Sequence, residues 1–162
     1  MQTSFTDKQL LNKDNKTSET IIRKCVHCGM CNATCPTYGV NGEELEGPRG
    51  RIYLIKDMLE NKKPATKEIA KHIDSCLSCY SCMTTCPSGV NYMHLIDHGR
   101  NYVEETYKRP FLDRLFRNIL SFVLPRPKIF LLMAWSSKIV KPFSFLFPKF
   151  LRNALNLSLI HI

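Results

Sequence analysis

The chain has 162 residues, 23 of them basic and 14 acidic, so its formal net charge is +9 at pH 7. Hydrophobic residues make up 44% and charged residues 23%, a globular composition that excludes wholesale disorder. The polar start, MQTSFTDKQL, lacks the apolar stretch of a secretory signal peptide. We therefore expect a reducing compartment, in which eight cysteines bind metal more readily than they form disulfides.

Charge and aromatic residues are unevenly distributed. Residues 1–109 hold 15 basic and 13 acidic residues, whereas residues 110–162 hold 8 basic residues and 1 acidic residue. Eight of the nine phenylalanines and five of the nine prolines also lie in residues 110–162. This distribution predicts a flexible N-terminus over residues 1–19, a cysteine-containing domain over 20–109 and a basic, aromatic segment over 110–162.

The periodicity of apolar residues predicts a mainly α-helical protein and no strand. The predicted helices are, in chain order, 51–60, 66–75, 91–107, 111–124 and 128–140. Thr66 is placed to cap the second helix, and Pro125 and Pro127 separate the last two. The uncharged stretch at 129–137 has about half the length of a membrane-spanning helix, so we expect no transmembrane segment.

The cysteines form a repeat. Each motif reads C-x2-C-x2-C-x3-C-P, and the two motifs together use all eight cysteines, Cys25, Cys28, Cys31, Cys35, Cys76, Cys79, Cys82 and Cys86. This is the bacterial spacing for [4Fe–4S] clusters, because three thiolates two residues apart reach three corners of one cubane. The sequence therefore predicts two [4Fe–4S] clusters.

The fourth cysteine of each motif is predicted to reach the other motif's cluster, as in two-cluster ferredoxins. Cluster 1 is then ligated by Cys25, Cys28, Cys31 and Cys86. Cluster 2 is ligated by Cys76, Cys79, Cys82 and Cys35. The 40 residues between the motifs leave room for two helices, so we expect a helical two-cluster domain.

Two alternatives use the same cysteines. Zinc sites usually take two separated C-x2-C pairs rather than four cysteines crowded into one short segment. A disulfide scaffold needs export, which the polar N-terminus does not indicate. Both alternatives are weaker than the cluster prediction.

Three segments together resemble the iron–sulfur subunit of glycolate oxidase, also called glycolate dehydrogenase. They read CVHCGMCNATCPTY at residues 25–38, EELEGPRGRIYLIK at 43–56 and CLSC…TTCPSGV at 76–90. The resemblance covers about residues 20–107, and LPRP at 124–127 resembles the family less closely.

The resemblance implies an α-helical ferredoxin fold with all eight cysteines as cluster ligands. It implies that electrons pass from a flavoprotein (FAD) subunit that oxidises glycolate to glyoxylate, towards a membrane electron acceptor of the respiratory chain. It also implies a subunit of an oxidoreductase. Because [4Fe–4S] clusters are kept in reducing surroundings and no export signal is present, we expect a cytoplasmic protein, peripheral to the inner face of the cell membrane through its complex. No motif in the chain indicates a catalytic residue, so chemistry at carbon is expected to belong to the partner.

The chain departs from the family in having no cysteine after Cys86, where family members carry further cysteine-rich segments. We therefore expect it to be the N-terminal piece of a longer protein. The ending LSLIHI at residues 157–162 has no family counterpart and is expected to be non-native, which resequencing the locus would test.

Five further residues carry side chains that could form sites. His27 is expected to be structural, and Arg49 with Arg51 is expected to form a solvated turn rather than a docking contact. His94 and His98 are one helical turn apart, but no third ligand accompanies them.

Three interpretations of residues 110–162 remain open. The interpretation that we favour is the start of a second domain. The next in preference is a segment that lies on a membrane surface. The third is a nucleic-acid contact, which we do not expect. The related dehydrogenases and reductases for glycerol-3-phosphate, lactate, succinate or heterodisulfide remain alternatives to glycolate. A zinc-stabilised binding module is a further alternative.

Overall fold

The structure of the protein is a computed structural model that describes residues 1–140. Its helices are α1 (Asp7–Leu10), α2 (Lys13–Lys24), α3 (Pro36–Asn41), α4 (Pro48–Asn61), α5 (Lys67–Asp74), α6 (Ser81–Thr84), α7 (Tyr92–Thr106), α8 (Phe111–Val123) and α9 (Pro127–Val140). Two 3-10 helices cover Met30–Asn32 and Glu44–Glu46. Residues 1–140 contain no strand, which confirms the prediction of a mainly α protein.

Capping residues set the helix boundaries. The Thr66 hydroxyl accepts a hydrogen bond from the backbone N–H of Ile69 at 3.2 Å, as predicted for the start of α5. The Asn91 side chain accepts from the N–H of His94 at 3.3 Å and starts α7. Helix α4 begins at Pro48, three residues before the predicted start, because proline suits the first position of a helix.

The core lies between α4 and α7. Its α4 side comprises Ile52, Ile55, Met58 and Leu59, and its α7 side comprises Leu95, Ile96 and Val103. Helix α2 adds Ile21 and Ile22, and α5 adds Ala70 and Ile73. Gly99 lets α7 approach α4 closely, since a Cβ at this position would lie 2.8 Å from Cγ1 of Ile55.

The N-terminal residues differ from the expectation of a flexible end over residues 1–19. They form α1 and the first part of α2, and Gln9 is buried. The Gln9 amide donates to the Leu59 and Glu60 carbonyls at 2.8 and 2.9 Å, so it satisfies backbone acceptors near the end of α4. The polar composition of this segment does not indicate that it packs against the domain, because polar side chains make the buried contacts.

The chain divides into two compact units, Met1–Lys108 and Arg109–Ile162. In the second unit, α8 and α9 pack together, and Asp113 pairs with Arg109 and Arg117 along α8. Within the described part of the chain, no helix has the length and hydrophobicity needed to cross a membrane. The expectation for residues 157–162 and the later part of the basic segment fall outside the described residues.

Candidate metal centre

The two cysteine loops follow the same backbone course. In the first loop, His27 and Gly29 have φ of +60° and +85°. In the second loop, Ser78 and Tyr80 have φ of +52° and +56°, at the equivalent positions after the first cysteine. A left-handed conformation is costly for a non-glycine residue, by about 1–2 kcal/mol. Its occurrence at matched positions indicates a shared geometry that turns each chain segment around a common kind of site.

The two loops also contact each other. The Thr34 hydroxyl donates to the Ser81 carbonyl at 3.4 Å, and the Thr85 hydroxyl donates to the Thr34 hydroxyl at 3.2 Å. Each contact joins a residue of the first motif to a residue of the second. The motifs, although about 50 residues apart in sequence, therefore form one structural unit.

Two adjoining cavities lie within this unit. The first is lined by the cysteines Cys25, Cys28, Cys31, Cys82 and Cys86. The second is lined by Cys35, Cys76, Cys79 and Cys82. The last cysteine of each motif thus lines the cavity that holds the first cysteines of the other. All eight cysteines are free thiols.

The protonation chemistry of the thiols suits a metal. Burial raises the pKa of the Cys82 thiol to about 12, and the neighbouring cysteines, Cys31 foremost, add to the rise. Burial and the neighbouring Cys25 likewise raise the pKa of Cys31. Hydrogen bonds from Ser81 lower the pKa of the exposed Cys79. Crowded, partly buried thiolates repel one another, so cationic iron would offset a charge that the apoprotein avoids.

The start of α4 lies against both cavities. Pro48 lines both, and Arg49 and Arg51 line one each. A helix N-terminus carries partial positive charge, which stabilises anionic groups such as thiolate-ligated clusters. Gly50 allows the tight entry into α4, because a Cβ there would lie 2.3 Å from the Glu44 carbonyl oxygen.

The expectation that Arg51 lies in a solvated turn is wrong, because its side chain is buried. Its side chain is only 1% exposed and pairs with the buried Glu46 carboxylate at 2.9 Å. It also donates to the Thr37 and Ser75 hydroxyls at 3.1 and 2.9 Å, and to the His72 carbonyl at 2.7 Å. Thr37 follows Cys35 by two residues and Ser75 precedes Cys76, so Arg51 joins the two segments that line the second cavity.

Glu46 is the centre of this buried network. Burial alone would raise the pKa of Glu46, but hydrogen bonds from Ser75 and His72 and the charge of Arg51 outweigh it and lower that pKa. The His72 ring nitrogen Nδ1 lies 2.7 Å from the Glu46 carboxylate. Glu43, Glu46 and His72 bring ligand atoms within 4.8 Å of one another. The Arg51 guanidinium that pairs with Glu46 already supplies the positive charge that a metal cation would bring. Glu43, Glu46 and His72 are therefore part of a structural network.

Arg49 is the exposed counterpart of Arg51. It pairs with Glu44, and the two side chains are 31% and 44% exposed. Asn32 also donates to Glu44, at 3.2 Å, which ties the first cysteine loop to the start of α4. Burial, followed by the charge of Arg49, lowers the pKa of His27 in the same loop.

His94 and His98 do not form a metal site with a third ligand among the described residues. Their ring centroids are 6.3 Å apart, and Nδ1 of His98 lies 2.7 Å from the Ser18 hydroxyl. His98 therefore connects α7 to α2 in the fold.

Comparison with known proteins identifies the domain. Residues 21–90 match the model of the 4Fe-4S dicluster domain. The chain is 48% identical over 143 residues to the glycolate oxidase iron–sulfur subunit of Escherichia coli, covering 88% of this chain and 35% of that protein. It is 32% identical over 119 residues to the probable glycolate oxidase iron–sulfur subunit of Bacillus subtilis. This match covers 72% of this chain and 27% of that protein.

A more distant relative matches a shorter part of the chain. The mitochondrial succinate dehydrogenase iron–sulfur subunit of Candida glabrata is 31% identical over 76 residues, which cover 43% of this chain and 30% of that protein. No solved structure matches the chain. The chain spans about a third or less of the length of the curated relatives named here.

The residues of the two cavities suit the cofactor that this domain carries. Eight free thiols divided between two adjoining cavities supply the eight ligand positions that two [4Fe–4S] clusters require. The zinc and disulfide alternatives have no comparable support. Residues 21–90 are therefore a 4Fe-4S dicluster domain, in a chain related to the iron–sulfur subunits of glycolate oxidases.

Proposed function

We propose that this chain relays electrons within a glycolate-oxidising complex, between a flavoprotein subunit and a membrane acceptor of the respiratory chain. Each [4Fe–4S] cluster, when bound, accepts and releases one electron at a time. The protein's own residues ligate the clusters, exclude water and tune their electrostatic surroundings. Its similarity to two glycolate oxidase iron–sulfur subunits supports this role.

The observation that carries the proposal is the adjacency of the two cysteine-lined cavities. Pro48, Cys82 and Tyr92 line both of them. Two redox centres separated by single side chains would exchange electrons rapidly, since electron transfer falls off steeply with distance. A binding module stabilised by two separate metals would not need this closeness.

The ligand assignment is part of the proposal. We infer that Cys25, Cys28, Cys31 and Cys86 hold one cluster, and that Cys76, Cys79, Cys82 and Cys35 hold the other. The cysteines that line each cavity support this crossed arrangement. Cys82, which borders both cavities, is assigned to the second cluster because it continues the C-x2-C-x2-C spacing of its own motif.

Matched serine variants test the crossing. Cys25→Ser and Cys76→Ser each perturb one cluster and provide the two reference spectra, measured by EPR in a redox titration. With crossed ligation, Cys86→Ser reproduces the Cys25→Ser spectrum and Cys35→Ser reproduces that of Cys76→Ser. If Cys35→Ser instead resembles Cys25→Ser, each motif keeps its own fourth ligand and the assignment is wrong.

The proposal extends to the rest of the molecule and its setting. We infer that residues 20–109 form the two-cluster domain and that residues 110–162 begin a second domain, in line with the division between Lys108 and Arg109. We infer a cytoplasmic location, peripheral to the inner face of the membrane through the complex. The free state of all eight cysteines supports a reducing compartment.

Anaerobic purification with its native partners tests the function. About eight irons and eight sulfides per chain, with interacting S = 1/2 signals after dithionite reduction, are expected for two neighbouring clusters. Adding glycolate to the isolated complex should bleach the visible iron–sulfur absorbance through a co-purified flavin. Zinc in place of iron, or a complex that glycolate leaves oxidised while dithionite bleaches it, would refute the proposal.

A second candidate is the same relay in another dehydrogenase. The likeness of 43% of this chain to a succinate dehydrogenase iron–sulfur subunit favours this general role. Presenting the isolated complex with lactate, glycerol-3-phosphate and succinate beside glycolate separates the candidates. The substrate that bleaches the clusters fastest identifies the complex.

A further inference from the structure

Tyr92, the first residue of α7, occupies a special position between the two cavities. Three described residues line both cavities, namely Pro48, Cys82 and Tyr92. Cys82 is an expected ligand and Pro48 has no N–H to donate. Tyr92 is therefore the one shared residue that can donate a hydrogen bond without being a ligand.

The Tyr92 side chain is oriented towards a cysteine of the second motif. The residue is only 4% exposed, and its hydroxyl donates to Sγ of Cys76 at 3.7 Å. A phenol carries its proton at neutral pH, so the buried Tyr92 hydroxyl is available as a donor to this sulfur. The ring itself fills space between the cavities and excludes water from them.

We propose that Tyr92 tunes the cluster ligated by Cys76, raising its reduction potential through an O–H···S hydrogen bond. The inference rests on the proposed function, because it requires a [4Fe–4S] cluster on Cys76. Reduction by one electron makes the cluster and its thiolates more negative, and a donor on a ligand sulfur stabilises the more negative state more strongly. Tyr92 is thus a positioning residue for electron transfer, and it favours electron flow towards the second cluster.

The hydrogen bond is asymmetric between the two cavities. Among the described residues, the Tyr92 hydroxyl bonds to Cys76 and to no cysteine of the first motif. Arg100 reinforces the same segment from further along α7, donating to the Cys76 carbonyl at 2.6 Å and to the Ser78 hydroxyl at 2.7 Å. Helix α7 therefore donates to the Cys76–Ser78 segment at three points among the described residues, and only the Tyr92 hydroxyl reaches a ligand sulfur there.

Tyr92→Phe tests the proposal, because it removes the hydroxyl and retains the ring. A redox titration of the anaerobic full-length protein, followed by EPR, should show one cluster reduced at a lower potential than in the wild type. The other cluster should be nearly unchanged, and the iron content should stay at about eight per chain. An unchanged pair of potentials, or an equal shift of both, would overturn the inference.

Tyr80→Phe is the matched control. Tyr80 lines the same cavity as Cys76, and its hydroxyl makes no hydrogen bond to a cysteine among the described residues. Its substitution should leave both potentials unchanged. A shift as large as that of Tyr92→Phe would assign the effect to cavity polarity and overturn the role of the hydrogen bond.

A second variant covers the case in which Tyr92→Phe loses iron. Tyr92→fluorotyrosine keeps the ring and strengthens the donor, so it should raise the potential of the same cluster. No change with this substitution would overturn the inference. If the wild-type protein binds about eight irons and neither variant changes a potential, this inference alone is refuted. If the wild-type protein binds no iron, the proposed function is refuted as well.

Discussion

The strongest stability prediction concerns Arg51, which the structure places in the buried network beside the second cavity. The variant Arg51→Met removes the guanidinium but keeps an unbranched side chain in place of the arginine's aliphatic part. Glu46, whose side chain is 3% exposed, then loses its ion-pair partner in the interior. The Thr37 and Ser75 hydroxyls and the His72 carbonyl each lose a hydrogen bond as well.

The expected cost follows from burial. Removing one partner of a buried ion pair leaves an uncompensated charge and costs about 3–5 kcal/mol. With an m-value of about 1–3 kcal/mol per molar urea, such a loss lowers the unfolding midpoint by at least about 1 M. The variant should also hold less iron, because Arg51 joins the segments that carry Cys35 and Cys76.

Arg49→Met provides a matched control on the same helix. Arg49 and Arg51 each pair with a glutamate five residues earlier, Glu44 and Glu46 respectively. The Arg49 pair is substantially exposed, so its loss should cost only about 0–1 kcal/mol. The two variants therefore share residue type and sequence spacing, and differ in burial and in the additional hydrogen bonds that the buried Arg51 makes.

The assay is urea unfolding of the anaerobic holoprotein, followed by circular dichroism, with iron measured in parallel. Equal midpoints for Arg51→Met and Arg49→Met would refute the reasoning from burial. Glu46→Gln combined with Arg51→Met should recover part of the loss, since no buried charge remains unpaired. A double variant as unstable as the sum of the single variants would show that charge pairing is not the cause.

Three further predictions concern single positions. Gly50→Ala should destabilise the protein more than Gly99→Ala does. The new Cβ at position 50 would lie 2.3 Å from a backbone carbonyl oxygen, whereas at position 99 the flexible Ile55 side chain can shift at a cost of about 1–3 kcal/mol. Equal urea midpoints of the two variants would contradict this prediction. Burial lowers the pKa of His98, so stability should fall as the pH drops below about 6.5, where only the unfolded state binds the proton. His98→Gln should flatten that decline below about pH 6.5, and a retained slope would assign it to other groups. Thr66→Ala should cost about 1 kcal/mol while Thr66→Ser costs little, and equal thermal midpoints would refute the role of the cap.

The sequence by itself was enough to identify the helices α4, α5, α7, α8 and α9 and the chemistry of the cysteines. Apolar spacing located α4, α5 and α7, because a helix that packs on one face must repeat its buried residues every three to four positions. The two C-x2-C-x2-C-x3-C-P motifs indicated two clusters, since the spacing of the ligands along the chain is itself the signature. Both features are local, and local features can be read along the chain.

Only the tertiary structure decided the surroundings of the two cavities. Arg49 and Arg51 look alike in the sequence, yet one is exposed and the other buried, because helix α4 turns its successive residues to different sides. The left-handed backbone at His27, Ser78 and Tyr80 has no marker such as glycine at those positions.

The polar N-terminus and Tyr92 show the same limit. Gln9 and Ser18 are buried because distant residues provide their hydrogen-bond partners, which composition cannot indicate. Tyr92 lies within the predicted helix 91–107, but its contact with Cys76 depends on how the start of α7 meets the second loop. Hydrogen bonds between residues far apart in sequence are made by packing, and packing decides which polar groups serve the site.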